Sequence, residues 1–280
     1  MQIMPIDLVR GEVELPSLSN VFQQFTAKLD DPGATAEDFS DIISTDPALT
    51  VRLLKLVNSA YYSFAATITD VAHAITIIGL NDLREMILAI SVVEFFEGLP
   101  NELTGMQTFW NHSVLTGLLA KEMQSSTAIK SKQSLFTAGM LHDVGSLVFY
   151  NRLPEIARSV LERNDREHQP RYLLEREILG FDHAAIGGEL MRHWELPEFL
   201  SDVVANHHEP QQSKAFTEEA MVINLTDKIA RNLEKGEESV QQIMYEIGDI
   251  SLGVSETDVE VSVSKAREKL SSVLSAIQAV

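Results

Sequence analysis

The chain has 280 residues, 45% of them hydrophobic, and a formal net charge of −19. This length suffices for one large domain or two small ones, and the apolar content argues against a disordered chain. The negative charge argues against nonspecific nucleic-acid binding and against docking on anionic lipid, since both need lysine and arginine. The absence of cysteine excludes disulfides, thiolate metal ligands and a cysteine nucleophile.

Targeting signals are not evident in the sequence. The first 16 residues lack the basic stretch followed by an apolar stretch that defines a signal peptide. The best candidate apolar run, Met86 to Phe96, carries Glu94 and is shorter than the about 18 residues that a membrane span needs. We therefore expect a soluble cytoplasmic protein that binds neither membrane nor nucleic acid.

Helical periodicity dominates the first 100 residues, and no strand alternation persists. Thr35 is placed to cap one helix, and Asp46-Pro47 to begin the next as N-cap and first-turn proline. Asp70 predicts the start of a helix that ends at Gly79. A further helix is predicted over residues 81–96.

A helix-breaking segment, Gly98-Leu99-Pro100-Asn101, follows and predicts a lobe boundary. We therefore divide the chain into an N-terminal helical lobe (1–100), a second helical lobe (101–235) and a C-terminal extension (236–280). The extension is expected to form two or three amphipathic helices.

Seven candidate metal ligands lie in the second lobe, all on segments with helical patterns. The predicted helices cover residues 109–123, 133–150 and 217–232. Two more begin near Asp182 and Pro197, and the second of these is predicted to end near His207-His208. The candidate ligands are His112, His142, Asp143, His183, His207, His208 and Asp227.

Neutral imidazoles and carboxylates suit a borderline or hard divalent ion. Asp143 lies in the apolar segment GMLHDVGSL, where an unpaired carboxylate is costly to bury. A cation is one solution, and no lysine or arginine lies nearby in the sequence. The alternative is that the histidines only pack and hydrogen-bond in the core.

The order of these residues resembles the HD superfamily of metal-dependent phosphohydrolases. His112, His142-Asp143 and Asp227 match its basic ligand pattern. The remaining three histidines match extra ligands of binuclear members, including the cyclic-dinucleotide phosphodiesterases. The resemblance implies one or two divalent ions (Fe, Mn or Mg, with the identity open). It also makes Asp143, His207 and His208 the candidates for a catalytic base or proton donor.

The N-terminal lobe narrows the resemblance. The stretches DPALTVRLLKLVNSAYY and AITIIGLNDLR, followed by AGMLHDVGSLVF and NHHEP, are similar to the HDOD family, an HD-related signalling domain of bacteria. The similarity covers roughly Leu15 to Pro210. It implies an all-α, two-lobed helical HDOD/HD-domain-like fold. It also implies a regulatory role with protein partners, because HDOD proteins occur beside signalling domains or as regulators that bind other proteins. Most of them have no established activity.

Three departures separate the chain from the cyclic-dinucleotide phosphodiesterases. Ser146 stands where they carry a phosphate-contacting lysine, and Thr108 where an acidic ligand is expected. No Gly-Tyr-Pro motif follows His207-His208. These differences argue against cyclic-dinucleotide hydrolysis but leave a one- or two-metal site intact.

Three functional hypotheses follow. The leading one is an HDOD signalling or regulatory protein that retains an HD-type divalent-metal pocket and binds signalling proteins. The alternative is a metal-dependent phosphohydrolase acting on a nucleotide or another phosphoester. The third is a structural scaffold without metal. The oligomeric state is left open.

Overall fold

Helices build the described part of the chain, and none of its residues forms a strand. The computed structural model describes residues 3–10, 15, 17–97, 103–126, 131, 133–236, 239–247 and 252–278. The predicted all-α class is confirmed. The helices are α1 (Pro5–Arg10), α2 (Asn20–Leu29), α3 (Ala36–Ser44), α4 (Pro47–Val57), α5 (Val71–Glu97), α6 (Met106–Ser126), α7 (Leu135–Leu141), α8 (Val144–Arg152), α9 (Pro154–Glu167), α10 (Arg171–Leu179), α11 (His183–His193), α12 (Glu198–Asn206), α13 (Thr217–Glu234), α14 (Val240–Ile247) and α15 (Glu256–Ile277), with a 3-10 turn at Pro210–Gln212.

Contacts within the chain divide it into two units. One comprises Met1–Leu15 and Pro100–Ala266, and the other comprises Pro16–Leu99 and Arg267–Val280. This division groups the first 15 residues with residues 100–266. The division into three parts at residues 100 and 235 stays a prediction. The predicted break at 98–101 lies outside the described residues. All seven candidate ligands belong to the first unit.

Local capping explains the helix starts of the second unit. Thr35 and Asp38 form a capping box before α3, in which the Asp38 carboxylate accepts the backbone N–H of Thr35 at 2.8 Å. Asp46 accepts the backbone N–H of Leu49 at 3.0 Å and precedes the first-turn proline of α4. Both predicted helix starts are confirmed.

The 27-residue helix α5 contains the predicted break at Gly79. This glycine has φ 81° and ψ 165°, a conformation that side-chain-bearing residues rarely adopt. The two predicted helices therefore meet directly at Gly79. Among the described residues, no helix is both long enough and apolar enough to cross a membrane.

Glycines in the first unit allow the helices that carry candidate ligands to cross closely. A Cβ added at Gly139 of α7 would lie 2.7 Å from the Cα of Gly117 in α6. One added at Gly145 of α8 would lie 2.0 Å from the carbonyl oxygen of His183, the first residue of α11. These crossings bring the backbone near His142 toward α6 and α11, and α13 packs against both α6 and α7.

The expectation that the candidate ligands lie on helices is wrong for His142-Asp143, whereas the predicted end of a helix near His207-His208 is confirmed. His142-Asp143 occupies a turn between α7 and α8, so the predicted continuous helix over 133–150 is interrupted. Asp143 stands at the N-cap of α8, with φ −98° and ψ 2°, but its side chain makes no capping hydrogen bond. His207-His208 follows the end of α12. The described tail contains two helices, α14 and α15, as predicted.

Candidate metal centre

The seven candidate ligands converge on one centre around Asp143. His112, His142 and Asp143 form one group, and Asp143, His183, His207 and His208 form a second. Within each group one ligand atom from every residue lies within 4.8 Å of the others. The two groups share Asp143, so the arrangement has room for one or two neighbouring cations.

Asp227 of α13 completes the cluster beside the first group. Its Oδ1 atom lies 3.0 Å from His112 Nε2 and 3.6 Å from His142 Nε2. Both imidazoles therefore face this carboxylate. The structure brings all seven residues together from five segments that are far apart in the sequence.

Two buried histidines present a free lone pair to the centre. His142 Nδ1 donates to the carbonyl oxygen of Gly139 at 2.6 Å, and His207 Nδ1 donates to that of Val204 at 2.8 Å. A carbonyl can only accept, so each Nδ1 carries the proton and each Nε2 is an acceptor.

Both Nε2 atoms, of His142 and His207, lie beside Asp143 Oδ1. They are buried and have no hydrogen-bond partner. The two Nε2 atoms lie 3.5 and 3.6 Å from that Oδ1. Buried acceptors at such distances repel unless a cation lies among them. The donor set therefore fits a divalent metal ion.

A buried glutamate that sequence reasoning missed holds His183. Glu175 of α10 accepts both the ring Nδ1–H of His183, at 2.6 Å, and its backbone N–H, at 2.8 Å. This contact directs His183 Nε2 toward the centre, 2.9 Å from Asp143 Oδ1. A carboxylate behind a histidine ligand orients the ring and strengthens its basicity. In the sequence Glu175 looks like the exposed Glu177 two residues later.

Stacked side chains hold the last histidine of the cluster. The ring centroids of Tyr172 and His208 lie 4.1 Å apart, and the angle between the ring planes is 17°. The guanidinium of Arg176 lies 5.2 Å from the Tyr172 ring centroid. Arg176 also pairs with Asp182, the N-cap of α11, at 2.7 Å, and with Glu209 at 2.6 Å. The stack therefore connects α10, α11 and the segment after α12.

Two arginines reach the carboxylates of the centre, and the sequence did not predict them. Arg231 donates to Asp227 Oδ1 at 2.6 Å and to Asp143 Oδ2 at 3.2 Å. Arg171 approaches the same Asp143 Oδ2 at 3.4 Å. No basic residue lies near Asp143 along the sequence, but α10 and α13 bring these two side chains from 28 and 88 residues away.

The electric field of the centre shifts several pKa values. Burial alone would raise the pKa of Asp143, but His142, His183 and Arg231 hold it well below its ordinary value. Burial outweighs the nearby carboxylates at His142 and His208 and lowers the pKa of both imidazoles. Burial lowers the pKa of His112 too, but its hydrogen bonds to Asp227 and Glu234 prevail and raise it to about 9. Burial lowers the pKa of His183 as well, but Glu175 and Asp143 prevail and hold it well above its ordinary value. Ionised carboxylates and neutral imidazoles are the forms that bind metal, so metal binding would displace protons from His112 and His183.

A cavity of about 700 Å³ opens beside the cluster. Of the seven candidate ligands, His183, His208 and Asp227 line it. Four basic side chains share its wall: Arg171, Lys228, Arg231 and Lys235. Ser146, by contrast, is buried at 1% exposure and does not line the cavity.

Comparison with known proteins agrees with this fold. The family model of the HDOD domain matches residues 15–210. The chain belongs to the HDOD domain family. The resemblance drawn from the motifs of both lobes is thereby confirmed, together with its two-lobed helical fold.

Two solved structures and one curated protein illustrate the similarity of this HDOD chain to others. A "Putative phosphohydrolase" from Shewanella amazonensis SB2B has a TM-score of 0.77 at 21% identity, covering 96% of this chain and 98% of its own. An HDOD domain protein of unknown function from Geobacter sulfurreducens has a TM-score of 0.74 at 26% identity, covering 98% and 97%. An uncharacterised protein from Treponema pallidum (strain Nichols) is 25% identical over 218 residues, which is 76% of this chain. The match spans only 42% of that relative's length.

Proposed function

We propose that this HDOD chain is a regulatory module that holds divalent metal at the centre around Asp143. The observation that carries the proposal is the pair of buried acceptors, His142 Nε2 and His207 Nε2, that have no hydrogen-bond donor and lie 3.5 and 3.6 Å from Asp143 Oδ1. The first ion would be held by His112, His142, Asp143 and Asp227. A second would share Asp143 with the three remaining histidines. Five imidazoles favour iron over magnesium, which prefers oxygen ligands.

Metal analysis of the purified chain tests this proposal. The protein is prepared without chelators, incubated with Mn²⁺ or, without oxygen, with Fe²⁺, and freed of unbound ion. We expect one or two equivalents of bound metal by elemental analysis, and a large loss of metal in Asp143→Ala. Retained fold in that variant is checked by circular dichroism. A folded wild-type chain that holds no metal under these conditions contradicts the proposal.

The second candidate function is hydrolysis of a phosphoester, such as a nucleotide. It is favoured by the cavity, which reaches His183, His208 and Asp227 and carries four basic side chains. A bound divalent ion supplies a Lewis acid and lowers the pKa of coordinated water. The basic side chains would bind and orient the anionic ligand.

Of the three predicted catalytic residues, His208 is the best placed for proton transfer in such a reaction. It lines the cavity, whereas His207 and Asp143 are almost fully buried and do not. The Tyr172 ring stacked on His208 fixes the orientation of its imidazole. We therefore assign Asp143 and His207 to metal binding. His208 would transfer protons when one ion is bound and would be a metal ligand when two are bound.

A panel of phosphomonoesters and phosphodiesters, assayed with the metal-loaded chain, tests the second function. Turnover that disappears in Asp143→Ala supports a hydrolase. If the loaded chain turns over none of the panel, the regulatory hypothesis alone remains. The signalling-protein partners implied by the HDOD resemblance belong to that regulatory hypothesis, and an affinity capture comparing metal-loaded and metal-free protein would test for them.

A further inference from the structure

Arg171 and Arg231 come from different helices and meet at one oxygen atom. Their Nη2 atoms lie 3.4 and 3.2 Å from Asp143 Oδ2. Both side chains are partly exposed, at 22% and 33%, and both line the cavity. Two guanidinium groups this close repel each other unless anions lie between them.

The anions present are the same carboxylates that would bind metal. Asp143 and Asp227 contribute two negative charges, which balance the two arginines. A divalent ion held by those carboxylates would leave an excess of two positive charges at this point. A phosphate dianion would restore the balance, and guanidinium groups match the geometry of phosphate oxygens.

The rest of the cavity wall suits an anion larger than phosphate. Lys228 lies one turn before Arg231 in α13, and Lys235, the C-cap residue of that helix, lies one turn after it. Both lysines line the cavity, as do the acidic Asp165 and Glu234, in a chain of net charge −19. The volume of about 700 Å³ lies within the usual range for small-molecule ligands, roughly 300–1,000 Å³.

We propose that Arg171 and Arg231 form a phosphate-binding subsite for a phosphoester at the edge of the metal centre. This inference rests on the proposed function, since it takes Asp143 and Asp227 as metal ligands. In it the arginines are substrate-binding residues, and Lys228 and Lys235 contribute long-range attraction. A second anionic group of the ligand would lie toward the two lysines.

Calorimetric titration of the full-length, Mn²⁺-loaded chain tests the subsite. The probes are inorganic phosphate and phenylphosphonate, a non-hydrolysable analogue with a bulky group, and bound metal is measured in every sample. We expect Arg171→Gln and Arg231→Gln each to weaken binding of both probes about tenfold, the usual effect of losing one charge-assisted hydrogen bond. Arg231→Lys should lose less, because it keeps the charge. The matched control is Arg158→Gln, an exposed arginine of α9 paired with Glu155, which should bind as the wild type does.

The possible results separate the subsite from the metal proposal. Unchanged probe binding in both glutamine variants, with metal retained, overturns the subsite and leaves the arginines as counter-ions of Asp143 and Asp227. Binding of phosphate without phenylphosphonate overturns the phosphoester assignment. A wild-type chain that holds no metal contradicts the proposed function instead. The same titrations on that metal-free chain then decide the subsite: arginine-dependent binding supports it, and absent binding overturns it.

Discussion

Glu175 holds His183 by two atoms at once, accepting both the imidazole Nδ1–H at 2.6 Å and the backbone N–H at 2.8 Å. The double contact fixes the ring relative to the first turn of α11. It leaves only Nε2 of His183 to face Asp143 and His208. Glu175 is thus a positioning residue for the metal centre, at 1% exposure.

Replacing Glu175 should therefore weaken metal binding without removing a ligand. We expect Glu175→Gln to lower the affinity for Mn²⁺ by about 10- to 100-fold, the usual effect of losing a carboxylate behind a histidine ligand. Competition with a fluorescent chelator measures the affinity. The control is Glu177→Gln, which removes an exposed carboxylate of the same helix paired with Arg163. Equal affinities for the two variants would show that Glu175 has no role in the site.

Close helix crossing at Gly145 gives a second prediction. A Cβ there would lie 2.0 Å from the His183 carbonyl oxygen and 2.5 Å from the Gly187 backbone nitrogen, so α8 and α11 would have to separate. We expect Gly145→Ala to lower the free energy of unfolding by about 3 kcal/mol or more, at or beyond the usual cost of overpacking. Gly105→Ala is the control, because its Cβ meets nothing closer than 3.5 Å, and it should change stability by less than about 1 kcal/mol.

Urea unfolding followed by circular dichroism measures both glycine variants. Loss of metal binding should accompany the loss of stability in Gly145→Ala, because the crossing holds Asp143 beside His183. A Gly145→Ala protein as stable as the wild type would mean that the two helices do not cross as closely as described.

The capping box of α3 gives a pH-dependent prediction. Hydrogen bonds from the backbone and side chain of Thr35 lower the pKa of Asp38 below its ordinary value near 3.8. A depressed pKa stabilises the fold above the unfolded-state pKa, and this contribution disappears as the pH falls through the folded-state value. Asp38→Asn should therefore be less stable than the wild type at pH 7, and the difference should shrink below about pH 3.8.

Urea titrations at pH 7, 5 and 3 check this dependence. Glu37→Gln removes a carboxylate from the same turn without touching the box and should have the smaller effect at pH 7. A stability difference for Asp38→Asn that stays constant down to pH 3 would rule out the ionised carboxylate as the source of stabilisation.

Local patterns predicted the parts of this molecule that depend on neighbouring residues. The Thr35 cap, the start at Asp46-Pro47 and the break at Gly79 follow from backbone hydrogen bonding and glycine conformation within a few positions. The seven candidate ligands could be identified because a buried polar residue in an apolar segment needs a partner, and because their order matched a known pattern.

The remaining parts depend on helices meeting in space. Glu175, Arg171 and Arg231 have the sequence surroundings of ordinary surface residues. Only the packing of α10 and α13 brings Glu175 to His183 and the two arginines to Asp143. The turn at His142-Asp143 was missed because the apolar spacing of GMLHDVGSL continues through it. There the Asp143 carboxylate faces the centre and makes no capping hydrogen bond to α8.

Anomalous X-ray diffraction from crystals of the Mn²⁺-loaded chain tests the central claim most directly. Data collected on both sides of the manganese absorption edge would locate any bound ion. We predict one or two peaks beside Asp143 Oδ1, near His142 Nε2 and His207 Nε2, the two buried acceptors without donors. A fully ordered centre without a peak, with those acceptors hydrogen-bonded to water or arginine, would contradict the claim that this HDOD chain binds metal there.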